Sequence, residues 1–120
     1  MTGVAASPLR IHTTTVGYRL VIAVEGEVSP ERADALAAGL RFALASAERD
    51  VWIDVTAVTA IDPAGVSVLL AAHRELASDH RTLAIICPPG PVRAAIGRAD
   101  GDHRLPTFPD RASAHYYRSA

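Results

Sequence analysis

The segment VWIDVTAVTAIDPAGVSVLLAAHREL, Val51–Leu76, passes from one hydrophobic pattern to another through a single short turn. Val51 to Val58 is apolar at alternate positions and mostly apolar between them, the pattern of a central strand covered on one face and partly covered on the other. After the turn, Val66, Leu69, Leu70, His73, Leu76 and Ala77 recur at three- and four-residue steps, which predicts an amphipathic helix. Between them, Asp62 can accept from free backbone N–H groups, and Pro63 suits the first helical position. A buried strand running straight into a capped helix points to an α/β layered fold.

The flanking sequence extends this pattern in both directions. Upstream, LRIHTTT (Leu9–Thr15) and YRLVIAVEG (Tyr18–Gly26) are rich in β-branched residues and are separated by Val16-Gly17, which predicts a β-hairpin. Ser29-Pro30-Glu31 gives a helix start, with Ala33, Leu36, Ala37, Leu40, Leu44 and Ala47 on one face. Downstream, TLAIICPP (Thr82–Pro89) predicts a buried strand stopped by prolines, and Gly90–Asp100 a short helix ending near Gly101. Gly90 is expected at the start of that helix and Gly97 at a close-packing position. A weak strand in RLPTFP and a helical segment from Asp110 complete the series. The expected architecture is a largely parallel sheet of about four to five strands with one antiparallel strand, right-handed crossovers and about four flanking helices.

Composition limits the function classes. A chain of 120 residues, 49% hydrophobic and 21% charged, fits one globular domain. Its formal charge of -1 and the lack of a Lys/Arg stripe exclude the electrostatic footprint of a nucleic-acid binder. Met1 to Pro8 lacks the pattern of a targeting segment, and no apolar run approaches a bilayer span, so a soluble cytoplasmic protein without a membrane role is expected. Cys87 stands alone, which rules out an intrachain disulfide or a cysteine metal cluster.

Catalytic and cofactor motifs are missing from the sequence. His12, His73, His80, His103 and His115 are too dispersed for a local metal pair, and neither phosphate-cradling glycine motif occurs. Ser67 has no partner base, Cys87 reads as a small buried thiol, and His73 as a hydrogen-bonded core histidine. No metal, cofactor or enzymatic activity is expected. The other side of the Val66 helix carries Ala64, Ser67, Ala71, Arg74, Glu75 and Ser78, small near its start, where another surface could approach closely.

The succession VIAVEGEV, VWIDVTAVTAIDPAGVSVLLAAHREL, TLAIICPPGPVRAAI and GDHRLPTFPDRASA resembles the STAS domain, most closely that of bacterial anti-sigma factor antagonists, over about Leu9 to Ala114. The resemblance implies one domain over residues 1–120, with a small mixed sheet flanked by helices. It also implies binding to a kinase-type anti-sigma factor, which frees a sigma factor. That family commonly carries Asp-Ser-Ser-Gly or Asp-Thr-Ser-Gly at this turn, the second hydroxyl residue being phosphorylated by the anti-sigma kinase to abolish binding. Here Asp62 and Gly65 match, whereas Pro63 and Ala64 replace the hydroxyl positions, and Ala64 has no oxygen to phosphorylate. Ser67, one turn later, is the nearest alternative acceptor.

The expected partner surface comprises Asp62, Pro63, Ala64, Gly65, Ser67, Val68 and Ala71, with a neighbouring loop of Glu25, Gly26, Glu27, Val28 and Ser29. Control by partner supply, by modification elsewhere or by Cys87 oxidation would then replace the missing switch. Alternative readings are a STAS scaffold or accessory subunit of a signalling or lipid-transport complex, and a small-molecule or nucleotide-binding STAS module.

Overall fold

The computed structural model describes residues 8–45, 50–115 and 117. Five strands form one sheet: β1 (Arg10–Val16), β2 (Arg19–Val28), β3 (Asp50–Ile61), β4 (Thr82–Ile86) and β5 (Thr107–Phe108). Their order in space is their order in the chain, which places β3 at the centre. β1 runs antiparallel to β2, and the other neighbouring pairs are parallel, as the alternation of strands and helices predicts. The helices are α1 (Ala33–Leu44), α2 (Pro63–Ser78), α3 (Pro91–Ala99) and the short α4 (Arg111–Ala114).

The two-residue period of the strands sorts their side chains between two layers. Leu20, Ile22 and Val24, Val51, Ile53 and Val55, and Leu83 and Ile85 join the main core with α1, α2 and α3. Their neighbours Val21, Trp52, Ala84 and Ile86 form a smaller cluster with Ala114 of α4, against which Phe108 and Tyr117 pack. Arg19 stacks over the Trp52 ring at 3.9 Å, covering part of this second face.

Asp54 alone among the inner residues of β3 is charged, and Arg111 of α4 holds it by two contacts to one carboxylate oxygen, from Nε at 2.9 Å and Nη2 at 2.8 Å. The backbone N–H of Thr56 donates to the other oxygen at 2.9 Å. Burial opposes ionisation of this carboxyl, yet the Thr56 hydrogen bonds and the Arg111 guanidinium outweigh it and keep Asp54 below the ordinary value of 3.8.

Several expectations need correction. β3 does not stop at Val58 but continues to Ile61. Ser29 makes no side-chain cap, and Pro30–Arg32 forms a 3₁₀ turn that leads into α1. α1 ends at Leu44, and Ala47 lies outside the described residues. Nothing lies within 4 Å of a side chain built at Gly97, so that position faces open space rather than a close contact. His73 is only half-buried, and its Nδ1 makes no hydrogen bond, so it is not the satisfied core histidine expected. No helix among the described residues is long and apolar enough to cross a membrane, and no group of metal-ligating side chains occurs among them.

Candidate docking surface

The start of α2 is built directly on the ends of β2 and β3. Asp62 has extended backbone, and its carboxylate accepts from the Ala64 N–H at 2.9 Å. Its carbonyl accepts from the Val66 N–H at 3.1 Å, and its own N–H donates to the Val28 carbonyl at 2.9 Å. The cap expected from the sequence is therefore present, with Pro63 in the first turn, where a missing N–H costs nothing. Gly65 is buried where α2 crosses these strand ends. A Cβ there would stand 2.6 Å from Val28 Cγ1 and 3.0 Å from Ile61 Cγ1, so only glycine allows this approach.

Glu25, Gly26, Glu27 and Val28 do not form a loop, as expected, but the last four residues of β2; of the five, only Ser29 lies beyond the strand. The polar Glu-Gly-Glu sequence reads as a turn, but here the strand absorbs it through register shifts against β3 between Ala23 and Glu25 and between Gly26 and Glu27. Gly26 takes a φ of 98° at this irregularity, a backbone region that favours glycine. Gly26 and Val28 are buried and shape the site without presenting side chains. Glu25 is engaged on the β1 side, its carboxylate 3.4 Å from His12 Nε2. Glu27 is half-buried, and its carbonyl accepts from Arg32 Nη1 at 3.2 Å.

Pro63, Ser67 and Ala71 are exposed along α2, with Ala64 and Val68 half-buried between them. Ser67, Val68 and Ala71 line a groove of about 230 Å³, whose other wall is α1 through Ala37, Leu40 and Leu44. Arg41 and Glu75 stand at its borders. The small residues of α2 thus leave a shallow apolar furrow that begins at Ser67, in the second turn of the helix. The α1 wall was missed in the sequence, because it depends on how two helices pack rather than on a motif.

Cys87 sits away from this surface at the end of β4, where its N–H donates to the Phe108 carbonyl at 2.8 Å. It is 1% exposed, and burial pushes its thiol up from the ordinary range. Both properties make it a poor nucleophile and a poor redox handle.

Both the sequence and this geometry have counterparts among known proteins. The family model described as "Mlab, STAS domain" matches residues 11–107. An anti-sigma factor antagonist from Mycobacterium paratuberculosis superposes with a TM-score of 0.81 at 20% identity, covering 90% of this chain and 92% of that one. A serine-to-glutamate variant of RsbS from Moorella thermoacetica gives a TM-score of 0.70 at 18% identity, covering 87% and 90%. The phosphorylated form of the Bacillus cell fate determinant SpoIIAA gives 0.63 at 16% identity, covering 92% and 100%. At these identities the likeness is one of fold. No curated protein is significantly similar in sequence.

Proposed function

The chain belongs to the STAS domain family, and from that membership we propose that it is an anti-sigma factor antagonist that binds a kinase-type anti-sigma factor and frees a sigma factor. The docking face in this reading is the first turn of α2, the adjoining end of β2 and the furrow between α1 and α2. The observation that carries it is the position of Ala64. It follows the Asp62 cap in the first turn of α2, half-buried and one helical turn before Ser67, where the lining of the furrow begins. A phosphate there would add about two negative charges to a surface that must be desolvated on docking. With a methyl group at residue 64 no such charge can be added there, and the partner cannot switch the face off at that position.

The test is a calorimetric titration with kinase-type anti-sigma factors from the same genome, with and without ATP. Binding that is indifferent to ATP supports the reading, and an Ala64→Ser variant that becomes phosphorylated and loses affinity supports it further. Stoichiometric phosphate on the unmodified chain, at Ser67 or elsewhere, or no binding to any such partner, overturns it.

A second reading makes the domain an accessory subunit of a larger assembly, since the matching family model is described as "Mlab, STAS domain" and not as an antagonist. Co-purification with an ATPase or permease, in place of an anti-sigma factor, would decide for it.

A further inference from the structure

The other flank of α2 carries a second cleft, of about 260 Å³, lined by Ser67, Leu70, His73 and Arg74 of α2 and by Arg104 from the segment after α3. Its chemistry is unlike that of the α1 side. Two guanidinium groups from different parts of the chain, an imidazole and a hydroxyl border one small space, and among the described residues no carboxylate lines it. In a chain of net charge -1, such a concentration of donors is local rather than a general property of the surface.

The donors are also largely unspent. Arg74 has no ion-pair partner among the described residues. Arg104 gives Nη2 to the Asp102 carboxylate at 3.0 Å, which leaves most of its five N–H groups available. Its backbone is fixed independently, since the Arg104 and Leu105 N–H groups donate to the two oxygens of the buried Asp100 at 3.0 and 2.9 Å. The Nδ1 of His73 makes no hydrogen bond within the protein and is shielded from solvent, so His73 is part of the cleft's wall and not one of its open donors.

We propose that this cleft binds the phosphate group of a small anionic ligand, with Arg74 and Arg104 as the charged clamp, Ser67 as a neighbouring donor and His73 as part of the wall. Two guanidinium forks offer more paired N–H groups than one carboxylate can accept, whereas a phosphate presents three or more oxygens to them. The volume sets the ligand's size. Sites for drug-sized molecules run to roughly 300–1,000 Å³, so this cleft suits inorganic phosphate or a short phosphomonoester, not a whole dinucleotide.

The test uses the full chain and two probes, inorganic phosphate and glycerol 3-phosphate, titrated at constant ionic strength against chloride while backbone amide shifts are followed by NMR. Saturable shifts centred on Ser67, Leu70, His73, Arg74 and Arg104 are expected. Tighter binding of the ester identifies a phosphorylated metabolite as the ligand, and equal binding identifies free phosphate. Arg74→Gln and Arg104→Gln should each weaken binding about tenfold, while Arg10→Gln on β1 should leave it unchanged. Shifts that do not saturate, shifts that map to another surface, or glutamine variants with unaltered affinity would overturn the assignment.

Discussion

The N–H of Asp62 donates to the carbonyl of Val28 at 2.9 Å, joining the ends of β2 and β3 directly beneath the first turn of α2. One residue thus ends a central strand, ties it to its neighbour and caps the following helix. The position of the whole docking face depends on this short connection, and four predictions follow from the groups around it and from the Asp54–Arg111 ion pair on the opposite face of the sheet.

Gly65→Ala should destabilise the protein by about 1–2 kcal/mol, read from chemical denaturation. Alanine gains up to about 1 kcal/mol in helix propensity. The added methyl, however, meets the buried, β-branched Val28 at 2.6 Å, and overpacking of this kind costs roughly 1–3 kcal/mol. Overpacking therefore wins. A variant as stable as the parent would mean that α2 can lift away from the strand ends at no cost.

Asp62→Ala should cost about 1 kcal/mol through loss of the bond to the Ala64 N–H, whereas Asp62→Asn should stay within a few tenths of the parent. The pair separates two roles. If asparagine preserves stability yet weakens partner binding, the carboxylate charge itself contacts the partner; equal binding by both chains would assign Asp62 to capping alone.

Ala64→Glu should not lower the thermal midpoint, because a negative charge in the first turn of a helix is stabilising by about 0.3–1 kcal/mol. The same charge should weaken binding to a kinase-type anti-sigma factor by about tenfold or more. Calorimetry and a melting curve on one sample check both halves. Unaltered affinity would move the docking face elsewhere.

Asp54→Ala should cost about 2 kcal/mol at neutral pH, since it removes hydrogen bonds to a charged group but strands only Arg111, which is half-exposed. Asp54 is held below the ordinary carboxylate value in the folded chain, so the unfolded chain takes up its proton first as the medium is acidified. Its contribution is therefore complete above pH 3.8 and is lost as the pH falls below that value. Urea unfolding of parent and variant across this range should show their difference narrowing on the acid side; a difference independent of pH would remove the ion pair as its cause.

The parts of this fold that were legible in the sequence are those governed by local rules. Alternating apolar residues in Val51–Val58 mark a strand with two covered faces, and Asp62-Pro63 marks the start of α2 because cap and proline act within one turn. The hidden parts depend on the third dimension. Glu25 to Val28 reads as a loop because its Gly and acids are turn residues, yet pairing with β3 carries the strand through them. Gly97 looks like a packing glycine but has nothing above it, while Gly65 has that role. The helix α1 and Arg104, which complete the two clefts beside α2, are brought there by packing that no spacing rule encodes.

The strand order has a further consequence for how the molecule is made. Because each strand pairs with the next one in sequence, every ladder closes over the shortest connection available, and the entropy of closing a loop rises with its length. The sheet can therefore lengthen in one direction as the polypeptide leaves the ribosome, no early strand waiting on a late one. A stalled chain ending after β3 already carries both partners of the Asp62–Val28 bond, and only α2 remains to be laid over them.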